Sequence, residues 1–155
     1  MSRLFVVIVA LYVSAPALAA ELPKSGNFDT PTGWKAVGEA MQVGGRTLGH
    51  GVYWGIVIGD NPLHIKAAMC PYISEQIGDT ITANGRCAWS DADGDQIYAE
   101  FTGKLSARTG VYDGVQPMNG GTGKFRGIQG NIPHQCQFVG DTQATCTQHW
   151  TYQLP

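Results

Sequence analysis

Three groups of residues in this sequence have types and spacings that chemistry uses. The first is GGTGKFRGIQG, Gly120 to Gly130, where glycines and two cations crowd together as they do in a phosphate-cradling loop. A P-loop puts Ser or Thr after its Gly-Lys pair and a glycine upstream, but here Phe125 follows Lys124 and Met118 holds the upstream position. A dinucleotide loop wants G-x-G-x-x-G between a strand and a helix. After Gly121-Thr122-Gly123 the next glycine is Gly127, and no helical pattern follows. What is left is a glycine turn leading into a tightly bent or bulged strand.

The second group is Asp91-Ala92-Asp93-Gly94-Asp95, three alternating carboxylates that invite a calcium reading. An EF-hand needs glycine at position six and a bidentate Glu at position twelve; counted from Asp91, those positions hold Gln96 and Thr102. The stretch reads as a hairpin turn, with Asp-Gly supplying the positive φ angles and the flanking carboxylates solvating the tip. No metal site and no cofactor are expected.

The third group is the titratable side chains. His50, His64, His134 and His149 are scattered, and no G-x-S-x-G or Cys-His pairing points to a nucleophilic triad. His50 opens the most apolar segment of the chain and is a candidate for a cavity mouth. In 96–102, Ile97, Ala99 and Phe101 share one face, and Gln96, Tyr98, Glu100 and Thr102 share the other. Glu100 and Tyr98 would be acid/base candidates on an inward face; the apolar trio claims the core, so they are expected outside. The candidate catalytic residues are therefore His50, Tyr98 and Glu100, and the candidate ligand contacts are Trp54, Ile56 and Phe101.

These residues need elements to hold them. Arg3, the apolar run at 4–13 and Ala17-Leu18-Ala19 have the three-part pattern of a secretory signal peptide at 1–19, followed by one domain over 20–155. The apolar run is about half the roughly 20 residues a spanning helix needs, so no membrane anchor is expected and the chain is read as exported, to periplasm or extracellular space. Without Arg3 the chain has nine basic and twelve acidic residues, a formal net charge of −3, which offers nothing to nucleic acid. Four cysteines, Cys70, Cys87, Cys136 and Cys146, fit two disulfides in an oxidising compartment. Three pairings exist; Cys70 with Cys87 and Cys136 with Cys146 is preferred because each joins neighbouring segments that suit hairpin partners. A zinc site lacks both C-x-x-C and a spaced His pair.

The 21 glycines follow no collagen-like period, and short apolar or alternating runs recur between turn signals. Strands are expected at 34–43, 47–58, 63–73, 80–90, 96–104, 110–116, 123–130, 134–139 and 145–153. Turns are expected at Gly44-Gly45, 59–62, Asp93-Gly94, 119–121 and Gly140-Asp141, with Asn84-Gly85 either a turn or a bulge. The segment HGVYWGIVI, 50–58, is apolar on both faces, which points to a covering partner, ligand or second subunit. An all-β domain of about eight antiparallel strands is best closed into a barrel, because closure removes exposed edges; a sandwich is the alternative.

Gly120-Gly121-Thr122-Gly123-Lys124-Phe125-Arg126-Gly127, with Gly130 after it, resembles the glycine signature of the allene oxide cyclase and dirigent barrel group. The stretch 87–96, CAWSDADGDQ, is similar to a segment of small exported bacterial members of that group. The resemblance implies an eight-stranded antiparallel barrel with an apolar cavity, often assembled as dimers or trimers. It covers one strand and its turn, and no cyclase or dirigent functional residue maps onto a position here. Three functions stay open. They are a barrel binding a small apolar or amphipathic ligand inside or at a subunit interface, an isomerase or cyclase that confines a reactive intermediate, and a structural or interaction module.

Overall fold

A computed structural model describes residues 22–155; the expected signal segment at 1–19 lies outside the described residues. Ten strand segments form one antiparallel sheet: β1 (Ser25–Val43), β2 (Arg46–Val57), β3 (Ile65–Ile77), β4 (Thr80–Asp91), β5 (Gln96–Ser106), β6 (Val111–Val115), β7 (Pro117–Gly121), β8 (Gln129–Asn131), β9 (His134–Val139) and β10 (Gln143–Gln153). The ladder runs β1-β2-β3-β4-β5-β6-β9-β10 and closes through β10 onto β1, giving an eight-stranded barrel.

The two further segments, β7 and β8, continue β6 and β9 without loss of register. Gly114 pairs with His134, Gln116 and Ile132 exchange backbone hydrogen bonds, and Pro117 pairs with Asn131. β7 lies beside β5 and β8 beside β10, so the wall stays closed along its length. A register shift where Tyr98 and Ala99 meet β7 marks a bulge at Asn119-Gly120, which bends the wall.

Two expectations for this region need correction. Residues 119–121, read as a turn, end β7, and the strand read at 123–130 is a 3-10 turn, Gly123–Phe125, followed by the short β8. Phe125 is the reason. Its ring is fully buried beneath the barrel, so the chain must leave the wall to deliver it. Gly123 permits this, since its φ of 46° is left-handed and a Cβ there would run into the Asp95 carboxylate. β1 also begins nine residues earlier than the expected strand at 34. Pro31 and the glycines disguise that half, yet it pairs with β10 from Ser25 to Lys35.

The two ends of the barrel differ. One carries the turns after β1, β3, β5 and β9 and stays open. The other is filled by Leu63, Phe125 and Ile128, all with no exposed surface, together with Ile65, Ile97 and Leu154. The acidic turn and the glycine motif clasp each other at this closed end. Lys124 Nζ bridges the Asp91 carboxylate (2.5 Å) and the Asp93 carboxylate (2.6 Å). Asp91 Oδ1 also accepts the backbone N–H groups of Asp93 and Asp95, each at 2.9 Å. Burial disfavours the Asp91 charge, but the ammonium and these N–H donors outweigh it and hold the carboxyl below its usual range. The same contacts, with Asp91 first, push Lys124 up to about 12.

Candidate functional site: the barrel lumen and its mouth

Alternation along closed strands sends every second residue inward, and large inward side chains need small ones opposite. Gly55 lies against the Trp34 ring and Gly85 against Phe101; Gly103 and Gly114 make room for Tyr112 and His134. Above the closed end the interior is aromatic. Phe28 stacks on Trp150 at 5.5 Å between centroids, and Trp89 meets Trp150 and Trp34 edge-on at 5.0 and 5.5 Å.

Both disulfides point into the lumen. Cys70–Cys87 links facing positions of β3 and β4, and Cys136–Cys146 links facing positions of β9 and β10, with Cα separations of 4.1 and 3.9 Å. They line a cavity of about 50 Å³ together with Trp34, Tyr53, Phe101, Tyr112, Gln116, His134 and Gln148. At about 30 Å³ per water that is room for one or two waters, far less than an organic ligand needs.

The polar groups around this cavity are uncharged. Trp34 Nε1 donates to Thr32 Oγ1 (2.7 Å), and Trp89 Nε1 donates to Gln116 Oε1 (2.9 Å). Gln148 Nε2 donates to Thr32 Oγ1 at 3.4 Å, while its Oε1 and the Tyr112 hydroxyl have no protein partner. His134 Nδ1 lies 3.1 Å from the Ile132 carbonyl. A carbonyl only accepts, so Nδ1 carries the proton and Nε2 is left as an acceptor. Burial lowers the His134 pKa and raises both phenols, with Tyr72 adding to the rise at Tyr53 and Tyr53 adding to the rise at Tyr112. At neutral pH this set offers hydrogen bonds and one neutral imidazole, and none of its groups is ionised.

Above the small cavity the barrel opens. Tyr53 and Tyr72 stack at 4.2 Å between centroids. With Phe138 and Leu105 they line the floor of a mouth of about 590 Å³. Its volume comes from missing side chains, because the inward positions of β1 and β2 here are Ala36, Gly38, Ala40, Gly49 and Gly51. A Cβ at Gly38 or Gly51 would collide with the facing backbone, so two strands approach closely only because both residues are glycine. Ser74, Gln76, Ser106 and Thr142 add hydroxyl and amide groups to the mouth.

The structure does not bring the six sequence candidates together. Phe101 faces the lumen and lines the small cavity. Tyr98 and Glu100 face outward on β5, where Glu100 pairs with Arg86 at 3.4 Å. His50 does not reach the mouth, because its neighbours Gly49 and Gly51 take the inward positions; it lies on the outer surface beside Ile73. Trp54 and Ile56 are likewise outside and more than half exposed. The inward polar residues Thr32, Tyr53, Tyr72, Tyr112, His134 and Gln148 were not singled out from sequence. The half-cystines could have found several of them: with Cys136 and Cys146 inward, His134, Phe138 and Gln148, two residues away, must be inward too.

Among the described residues no three His, Cys, Asp or Glu side chains are grouped to hold a metal ion, and no helix is long and apolar enough to cross a membrane. No family model and no curated protein matches the chain. Among solved structures it is similar to a protein of unknown function from the DUF3224 family of Shewanella oneidensis MR-1. The TM-score is 0.58 at 12% identity, with 83% of this chain and 98% of that chain covered. At that identity the likeness is one of fold: the chain is a small closed β-barrel of the same architecture.

Proposed function

We propose that the protein is an exported barrel that binds a small amphipathic molecule, with a ring or chain on the Tyr53–Tyr72–Phe138 floor and a polar end among Ser74, Gln76, Ser106 and Thr142. The observation that carries this reading is the mouth, whose roughly 590 Å³ lies within the range of small-molecule sites while the cavity beneath it is too small. Aromatic floors with a few hydroxyls at the rim supply burial and orientation without chemistry. An isomerase reading finds less support, since the lumen's imidazole, His134, lies on the inner cavity, which is too small to admit a substrate. The signal-like segment at 1–19 and the two disulfides favour an oxidising compartment outside the cytoplasm. On the glycine motif and the barrel, we read the chain as a distant relative of the allene oxide cyclase and dirigent group.

The test is titration with N-phenyl-1-naphthylamine, an apolar fluorophore of suitable size, followed by its emission. Saturable binding is expected. Ala40→Trp, which fills the mouth from an exposed inward position, should raise the Kd at least tenfold, and Trp54→Ala on the outer face should leave it unchanged. Absence of saturable binding, or an Ala40→Trp protein that binds like the wild type, refutes the reading.

A further inference from the structure

The outer face of β1, β2 and β3 carries a continuous apolar surface that the ligand reading does not use. In successive cross-strand rows stand Lys35, Trp54 and Met69; Val37, Val52 and Pro71; Glu39, His50 and Ile73; and Met41, Leu48 and Glu75. Its exposed large apolar side chains run from 38% (Leu48) to 62% (Ile56), with Val52 half-buried among them. Monomeric proteins rarely leave such a face uncovered.

We infer that this face is the interface of a symmetric dimer, with a second copy of the chain stacked on it about a twofold axis along the Val37–Val52–Pro71 row. The charges argue for this partner. Lys35 and Glu39 flank Val37 on the same outward side of β1, and among the described residues neither forms an ion pair. A twofold axis across the strands at Val37 exchanges the rows on either side of it. Lys35 of each copy then meets Glu39 of the other, twice per dimer, as an isologous contact requires. The same operation sets Trp54 against His50 and Met69 against Ile73. A groove beside Trp54, Ile56 and Met69 then receives the Leu48 and Ile73 side chains that border a second groove on the opposite side of the axis. No sequence-unrelated partner or bilayer is needed to account for one lysine and one glutamate equally spaced about the centre of the patch. Where the three strands are paired they present about seventeen outward residues, a little below the roughly 20–30 per side of a standard interface.

The experiment is light scattering coupled to size exclusion on the exported protein, with Kd from sedimentation over a concentration series. A dimer mass is expected. Val37→Arg should give a monomer with wild-type circular dichroism. Lys35→Glu and Glu39→Lys should each weaken the dimer at least tenfold by setting like charges together, and the double variant Lys35→Glu/Glu39→Lys should restore it to within about threefold. A trimer, a monomer at all concentrations, a dimer indifferent to Val37→Arg, or a double variant no tighter than the singles overturns the proposal. A monomer that sediments with phosphatidylcholine vesicles overturns it in favour of a bilayer.

Discussion

Lys124 supplies the most direct test of how the closed end of the barrel is held. Replacing it by Met keeps the apolar stem and removes the ammonium. The Asp91 side chain is 1% exposed and would keep only its two backbone N–H donors, while Lys124 itself is 31% exposed. Breaking a buried pair from one side costs about 3–5 kcal/mol, and the exposure of the lysine end reduces that. The Asp93 limb is exposed and adds about 0–1 kcal/mol. We expect Lys124→Met to lose about 2–3 kcal/mol at pH 7, a fall in Tm on the order of 10 °C for a domain of this size. The pH profile separates this cause from general loosening. Asp91 has a depressed folded pKa, so its stabilisation is present above its unfolded pKa of about 3.9 and is lost as pH falls through the lower folded value. In Lys124→Met the burial that raises the Asp91 pKa is no longer outweighed, so the folded state takes up the Asp91 proton more readily and the variant's deficit against wild type should narrow as pH falls through the Asp91 range. On the alkaline side, Lys124 contributes fully below its unfolded pKa of about 10.4. That contribution disappears as pH rises through about 12, a limb the variant lacks. Urea unfolding followed by tryptophan fluorescence at a series of pH values measures both limbs. A variant within about 0.5 kcal/mol of wild type at pH 7, or one whose deficit stays the same as pH falls, refutes the clasp; a coupling above about 1 kcal/mol in the Asp91→Asn/Lys124→Met cycle supports it.

Each disulfide should stabilise the fold measurably and resist reduction. By loop-closure entropy, Cys70–Cys87 with its separation of 17 residues contributes about 3 kcal/mol and Cys136–Cys146 with 10 about 2.7 kcal/mol. Double Cys→Ala replacement of either pair checks this by urea unfolding. Both bridges face the interior, so thiol trapping after dithiothreitol should show reduction only where urea opens the barrel. Gly85→Ala should cost more than about 2 kcal/mol, because its Cβ would collide with the Pro71 carbonyl and lie 2.6 Å from the Phe101 ring; thermal unfolding reads the loss.

The strand pattern was legible wherever period-2 alternation met an uninterrupted run, as in β5, where Ile97, Ala99 and Phe101 are buried and Tyr98 and Glu100 exposed. The disulfide partners were legible because they sit on adjacent hairpin strands. The first half of β1 was hidden by Pro31, which is tolerated because its ring nitrogen points to the β2 side just beyond that strand's end, where its carbonyl accepts from Ile58. The glycine motif was misplaced for a tertiary reason: the burial of Phe125 under the barrel overrides the tendency of 123–130 to continue as a strand. The mouth was not legible, since a cavity left by glycines has no side chains to announce it.

β2 shows why a doubly apolar segment resisted assignment. Its inward residues, Gly49, Gly51, Tyr53 and Gly55, alternate with His50, Val52, Trp54 and Ile56 outside. Hydrophobicity is therefore high on both faces for unrelated reasons. Inside, small residues let Trp34 and Tyr72 cross the lumen and leave the mouth open; outside, large ones build a surface with no cover in the monomer. Parity breaks the ambiguity, and a cross-strand disulfide reports parity. Tyr53 pairs with Cys70, whose sulfur must point at Cys87, so Tyr53 faces inward and Trp54 faces out. By the same logic a substitution at an even-numbered position from 50 to 56 should disturb association and leave the mouth intact, while one at Gly49 or Tyr53, which line the mouth, should do the reverse.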